Sequence, residues 1–313
     1  MKDKSSISFA ICTYGDSISL VKECLNSIFS NLGSTAEAIV VHEADDSTFS
    51  YMQDSIETFQ HNTKLIRQVG DRGLSNGRNI ALDNCETEWL AFLDDDAQMI
   101  GGWGEAFFEG LKEYPNSVGF TGPIIPSYEA GNRQYPQSME WLVSCNTRKL
   151  TKGPVRNGFG ANMVFNAKKI SENKIRFRSE FGWVNGMKGD AISGEETIFS
   201  SELTTSSGCP IIWLPDLSVL HKVPKSRTRI QYVWKRSFKE GKTKSILSRS
   251  DLAFSMGKER GHLLRIMFLD IPAELIRLPL GPIRRLRNLF GIATMVIGTL
   301  SGFLLYSVGL GKK

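Results

Sequence analysis

The sequence predicts an α/β fold with a mostly parallel sheet, followed by C-terminal membrane-associated helices. Three observations predict it. Short apolar runs alternate with helical segments from Ser8 to Leu93, the spacing that builds a parallel sheet with helices on both faces. Polar clusters stand where three of those runs end, at Thr13-Tyr14, Asp45-Asp46 and Asp94-Asp95-Asp96, and in parallel sheets ligands sit beyond the carboxyl ends of strands. Near the end of the chain, Asn288 to Gly311 is a run of 24 residues without a charge.

Ser8 to Cys12 predicts the first strand. Ser17 to Phe29 predicts a helix with Ile18, Val21, Leu25 and Ile28 on one face. Ala38 to His42 predicts a second strand, with Glu43, Asp45 and Asp46 after it and a helix from Ser47 to Phe59. Lys64 to Val69 predicts a third strand, and the run Gly70-Asp71-Arg72-Gly73-Leu74-Ser75-Asn76-Gly77-Arg78-Asn79 leads into a short helix ending near Asn84. Trp89 to Leu93 is a buried fourth strand. A helix from Trp103 to Tyr114, strands at 118–121 and 160–165, a helix opening at Gly194 and strands at 211–214 and 218–221 follow. Ser127 to Asn157 shows no period, the pattern of a binding loop. Thr228 to Ser248 predicts a helix with Ile230, Val233, Trp234 and Phe238 on its apolar face. Leu263 to Leu280 is apolar but broken by charges and prolines, which suits an element lying on a membrane and not one crossing it.

The net charge of +5 hides an asymmetry, because Lys222 to Arg249 alone carries +9. So dense a basic segment points to nucleic acid, an anionic membrane surface or a phosphorylated ligand; no nucleic-acid motif accompanies it, and a solvated basic face is the plain alternative. Cys12, Cys24, Cys85, Cys145 and Cys209 have no metal-binding or disulfide spacing and read as reduced thiols in a cytosolic compartment. The polar stretch Met1 to Ser6 lacks the apolar run of a signal peptide. About 22 residues of the uncharged C-terminal run would span roughly 33 Å as a helix, enough to cross a bilayer core; a buried soluble helix is the alternative. Gly298 and Gly302 give it a small-residue packing face, a route to a homodimer through this helix. The expected division is 1–225 as the catalytic α/β domain, 226–283 as a basic, amphipathic helical region and 284–313 as a transmembrane helix and tail.

Three adjacent carboxylates repel one another in a low-dielectric setting. A divalent cation offsets that cost most simply, and Mg²⁺ or Mn²⁺ on carboxylate oxygens is the chemistry expected beside a phosphate. A solvated turn is the alternative, since Asp is common where strands end.

Thr13-Tyr14, Asp45, the run Arg72 to Asn79 and Leu93-Asp94-Asp95-Asp96, in this order and spacing, resemble the family 2 glycosyltransferases of GT-A fold, a Rossmann-like, mostly parallel sheet. The resemblance covers residues 7 to about 221. Glu140 to Cys145, Gly158 to Met163, Gly194-Glu195-Glu196-Thr197 and His221-Lys222-Val223-Pro224 are similar to the archaeal glucosyl-dolichyl phosphate glucuronosyltransferases. The usual Gly-Gly-Glu-Glu of that subfamily is Ser193-Gly194-Glu195-Glu196 here, a change in a turn residue and not in the acids.

The resemblance implies inverting transfer of a sugar, possibly glucuronic acid, from a UDP-sugar donor to a lipid-linked saccharide acceptor on polyprenyl or dolichyl phosphate, as in protein N-glycosylation. It assigns Asp94 and Asp96 to a divalent cation and the donor, with Asp95 beside them, and Thr13, Tyr14 and Asp45 to the base. Arg72, Gly73 and Asn79 would meet the nucleotide, and His221 would complete the metal shell. Asp45 also fits a helix cap, Gly73 a simple turn and His221 a structural role. A saccharide hydroxyl needs a carboxylate base. Glu195 and Glu196 are the candidates, with Glu195 favoured by the family's pattern and helix-start electrostatics accounting for the other. A uronate donor would call for an Arg fork, with Arg148 and Arg156 available. The implied location is the cell membrane, with the catalytic domain on its cytoplasmic face. Other readings are a transferase acting on another membrane lipid or polysaccharide, a nucleotidyltransferase, or a membrane-tethered nucleotide-sugar-binding protein without catalysis.

Overall fold

In the computed structural model the described residues are 7–33, 36–57, 62–129, 135–181, 193–249 and 259–308. They form β1 (Ile7–Tyr14), α1 (Ile18–Leu32), β2 (Glu37–Glu43), α2 (Asp46–Glu57), β3 (Thr63–Arg67), α3 (Leu74–Asp83), β4 (Trp89–Asp94), β5 (Ala97–Met99), α4 (Trp103–Glu113), β6 (Gly119–Thr121) and β7 (Ile124–Tyr128). After these come β8 (Gly153–Val155), β9 (Met163–Asn166), α5 (Ala167–Glu172), α6 (Glu195–Ser207), β10 (Ile211–Trp213), β11 (Val219–Val223), α7 (Ile230–Leu247), α8 (Glu259–Arg265), α9 (Ile271–Ile276) and α10 (Pro282–Ser307). The chain divides into two compact units, Met1–Ile125 with Arg148–His221, and Pro126–Thr147 with Lys222–Lys313. Residues 126–147 therefore fold with the C-terminal unit, a partition that the expected boundary at 225 does not draw.

The first unit is built on a sheet of strand order β3-β2-β1-β4-β9-β6-β10-β8. β3, β2, β1 and β4 run parallel. β9 enters antiparallel between β4 and β6, so the sheet is mixed but mostly parallel, as expected. Side chains alternate along β1. Ala10 joins Ile39, Leu90, Phe92, Phe165, Phe177 and Phe199 in a core on one face, while Phe9 meets Trp103 at 5.5 Å on the other. Phe199 of α6 meets Phe165 of β9 at 5.2 Å and stacks on Phe177 at 3.9 Å, which holds α6 against the sheet. At Gly77 a Cβ would lie 3.3 Å from Cys12 Sγ, so a glycine lets α3 lie close on β1.

In the second unit Tyr135, Met139, Leu142, Val233, Ile266, Ile292 and Met295 form one core. The stretch expected to be an irregular loop is partly regular: Gln137–Val143 is a 3-10 helix, and Gly153–Val155 is β8 of the first unit's sheet. The apolar face expected on α7 is also corrected. Val233 is buried, but Ile230 and Trp234 are 39% and 42% exposed, and Ser237, Gly241 and Ser245 are buried instead. α10 packs on that small-residue strip. Gly298 lies against Trp234 and Ser237, and Gly302 against Phe238 and Lys242. The Gly298–Gly302 face thus packs within the chain. By length and composition α10 is long and apolar enough to cross a membrane. Lys312 and Lys313, the expected C-terminal flank, lie outside the described residues.

Candidate active site

The register of the parallel strands gathers the polar ends. Cys12 of β1 stands between Val41 of β2 and Asp94 of β4, so Thr13 and Tyr14 project with Glu43 and the three aspartates at one edge. Thr13 Oγ1 donates to Asp95 Oδ2 at 2.5 Å. Burial pushes the Asp95 carboxyl up to about 6; the Thr13 hydrogen bond opposes the rise, and the neighbouring Asp96 and Asp94 add to it. β5 starts immediately after the triad and pairs antiparallel with β11, setting His221 opposite Ala97. That register brings His221 Nε2 to 3.0 Å from Asp96 Oδ1, with His221 1% exposed. One ligand atom each from Asp94, Asp96 and His221 lies within 4.8 Å of the others. Two carboxylates and an imidazole, close together and partly dehydrated, suit Mn²⁺ or Mg²⁺.

Sequence reasoning missed the group that joins this cluster to Glu195. Arg78 is 3% exposed. Its Nη1 donates to Glu195 Oε1 at 3.2 Å, its Nη2 lies 3.7 Å from Asp94 Oδ1, and its guanidinium carbon lies 5.4 Å from the centre of the Phe177 ring. Burial disfavours its charge, but Glu195 and Asp94 outweigh it and hold the guanidinium above its ordinary value. A signal existed in the sequence. Arg78 falls on the same face of α3 as Leu74 and Ala81, four before and three after, so it is a charge among apolar positions at helical spacing, and Ser75, Arg78 and Ala81 are buried.

Glu195 opens α6 behind Gly194, whose φ of 100° suits glycine. Both Glu195 and Glu196 stand in the first turn of α6. Gly73 has φ 103°, and its N–H donates to Glu43 Oε2 at 2.9 Å. Arg72 Nε lies 4.0 Å from the same carboxylate, at Oε1, which makes Glu43 a further rim residue. Tyr14 is 43% exposed. Asp45 accepts from the Thr48 amide at 2.8 Å and from Ser47 Oγ at 2.9 Å, so the helix cap is present; these bonds hold its carboxyl below the usual range. The structure does not bring Asn79 to the rim: its amide donates to Phe177 O at 2.7 Å and its Oδ1 accepts from Phe177 N at 2.9 Å. Arg156 follows edge strand β8 and donates to Asn157 Oδ1 at 3.2 Å.

The more distinctive motifs have structural work. Asn162 is fully buried; its Nδ2 donates to Leu217 O at 2.6 Å and its Oδ1 accepts from Trp103 Nε1 at 3.2 Å. In the second unit Glu140 is 1% exposed and accepts from the Thr147 amide at 2.9 Å.

The profile described as Glycosyl transferase family 2 matches residues 8–172. The chain is 24% identical over 248 residues, 77% of each protein, to a protein of Haloferax volcanii named glucosyl-dolichyl phosphate glucuronosyltransferase. It is 27% identical over 174 residues to the succinoglycan biosynthesis protein ExoM of Rhizobium meliloti, 54% of this chain and 51% of that one. Among solved structures, the mannosyltransferase PcManGT from Pyrobaculum calidifontis, in complex with GDP-Man and Mn²⁺, superposes with a TM-score of 0.61 at 14% identity, covering 98% of this chain and 88% of that one. TarS 1-349 of S. aureus in complex with UDP superposes at 0.53 and 18% identity, covering 98% and 93%.

Proposed function

This chain belongs to glycosyl transferase family 2, and from that premise we propose inverting, metal-dependent transfer of a sugar from a UDP-sugar to a saccharide carried on polyprenyl or dolichyl phosphate. The observation that carries the reading is the Arg78 guanidinium, which spans from Asp94 among the candidate metal ligands to Glu195 at the start of α6. One buried cation thus links the place for a leaving diphosphate with a carboxylate suited to an incoming hydroxyl.

Asp94, Asp96 and His221 would hold the cation, with Asp95 fixed beside them by Thr13. When bound, Mn²⁺ or Mg²⁺ would neutralise charge on the donor diphosphate as the sugar leaves. The exposed Tyr14 and Asp45 would meet the base, and the Arg72-Gly73 turn would meet the nucleotide. Glu195 would take the proton from the acceptor hydroxyl at its carboxylate. Arg78 pairs with that carboxylate and fixes its position, and Gly194 places it on the first turn of α6. A single base and direct displacement give inversion at the sugar carbon. Support for a lipid-linked acceptor comes from the printed activity of the Haloferax volcanii relative. A uronate donor remains part of the proposal through Arg148 and Arg156, as does a place in protein glycosylation on the cytoplasmic face of the membrane.

The test is transfer of radiolabelled sugar from a panel of UDP-sugars to membrane lipid extract, with and without EDTA. The expected result is one preferred donor, a lipid-phase product and loss of transfer in EDTA that Mn²⁺ or Mg²⁺ restores. Transfer indifferent to EDTA would overturn the metal assignment, and no transfer from any donor would overturn the enzyme reading.

A further inference from the structure

In the second unit the two long helices pack directly on each other. α7 and α10 lie side by side with residue numbers rising together, so they run parallel. Gly298 is beside Trp234, Gly302 beside Phe238, and the Ser307 hydroxyl lies 3.0 Å from that of Ser245. Lys242 Nζ sits 4.8 Å from the centre of the Tyr306 ring. A Cβ at Gly241 would stand 2.0 Å from Thr299 O, and one at Gly302 would stand 2.1 Å from Phe238 O. Only hydrogens fit between these backbones, so the contact has no slack.

That contact decides against a lone spanning helix. Along the length that α10 packs on, α7 carries the exposed Lys235 and the half-buried Arg236 and Lys239, while Lys242 is buried and Lys244 pairs with Glu240 at 3.2 Å. If α10 crossed a bilayer in this pairing, Lys235, Arg236 and Lys239 would be carried into the hydrocarbon, where cations are strongly disfavoured. α10 also has a second face. Ile283, Phe290, Ile297 and Leu304 recur every seventh residue and are 86%, 63%, 55% and 58% exposed. The stripe runs roughly 32 Å along the helix at 1.5 Å per residue. Elsewhere in the unit Met267, Phe268 and Ile276 are also more than half exposed. So much exposed apolar surface marks an interaction site. Its pairing with a strongly basic helix is complementary to anionic lipid, with acyl chains for one and phosphates for the other.

We propose that α7 and α10 form one in-plane anchor on an anionic bilayer. α10 lies along the surface with its Ile283–Leu304 stripe at the acyl boundary, the basic groups of α7 reach the headgroup phosphates, and α10 does not cross. The choice of a bilayer as partner rests in part on the lipid-linked acceptor proposed above, but the test reads attachment and topology independently of transfer.

The full chain is floated with vesicles of phosphatidylcholine with or without phosphatidylglycerol. In parallel, Arg284→Cys and Val308→Cys variants are treated with a membrane-impermeant maleimide in sealed inverted membrane vesicles, against the parent as background. The expected result is flotation that needs phosphatidylglycerol and weakens with salt, an at least tenfold loss for Ile297→Glu with Leu304→Glu, and labelling of both cysteines before detergent is added. Labelling of one of the two only after detergent shows a crossing helix and overturns the proposal. Flotation unchanged in the double glutamate variant also overturns it, and would point to a soluble partner on the stripe. If transfer fails while these results hold, the proposed activity falls and the anchor stands.

Discussion

At the rim of the first unit, three adjacent aspartates are surrounded by partners, Thr13 on Asp95, His221 on Asp96 and Arg78 by Asp94. Along α10 of the second unit, Ile283, Phe290, Ile297 and Leu304 are left more than half exposed. The two regions also use glycine differently. Gly73 and Gly194 supply positive φ at turns that carry the site, whereas Gly241 and Gly302 supply the absence of a side chain where two helices touch. Charge follows the same division. The one cation buried at the rim is fixed by carboxylates, while the basic residues of α7 accompany an apolar face. The lesson is that the proposed chemistry and the proposed attachment rest on separate physical devices, so each can be broken alone.

Glu195→Gln should have the largest effect. It keeps shape and a partner for Arg78 but removes the base, so kcat should fall about 10²–10⁴-fold with little change in the KM for donor; Glu196→Gln should fall far less. A phosphate acceptor, already ionised, would leave Glu195→Gln near full activity, and steady-state kinetics with defined acceptors separates the cases.

Arg78→Met should cost about 3–5 kcal/mol of stability in urea unfolding, because it leaves two carboxylates facing a buried apolar group. Arg78→Lys should recover part of that stability but not kcat, since an ammonium lacks the fork that reaches both Asp94 and Glu195. Full recovery of both by Lys would reduce Arg78 to a structural counter-charge.

Gly241→Val should act on the other side of the comparison. Its Cβ would press on Thr299 O, so the α7–α10 pair must part, at about 1–3 kcal/mol. Thermal melting and vesicle flotation should both weaken while UDP binding is unchanged. Loss of UDP binding in this variant would mean that the two devices are not separable.

Much of the first unit was legible because its signals are local. The short apolar runs of β1, β2 and β4 required no knowledge of distant residues, and the aspartate triad announced itself by the cost of like charge. What was not legible depends on pairing across the chain. β5 is three residues long and exists because β11 reaches it. β9 read as a strand, but its antiparallel place beside β4 comes from registers such as Leu90 with Phe165. Arg78 read as one more polar residue in a glycine-rich run because its partner Glu195 lies 117 positions on. In the second unit the expected apolar face of α7 failed for a related reason. Large side chains were assumed to be the packing surface, but α10 approaches through Ser237, Gly241 and Ser245.

The central claim, that Asp94, Asp96 and His221 form a cation site for a donor diphosphate, is most directly tested by Mn²⁺ binding. Electron paramagnetic resonance titration of the full chain, with and without UDP, should show one tight Mn²⁺ site that UDP strengthens, weakened at least tenfold in Asp96→Asn with the fold intact by circular dichroism. Mn²⁺ binding that is absent with UDP, or unchanged in Asp96→Asn, would contradict it.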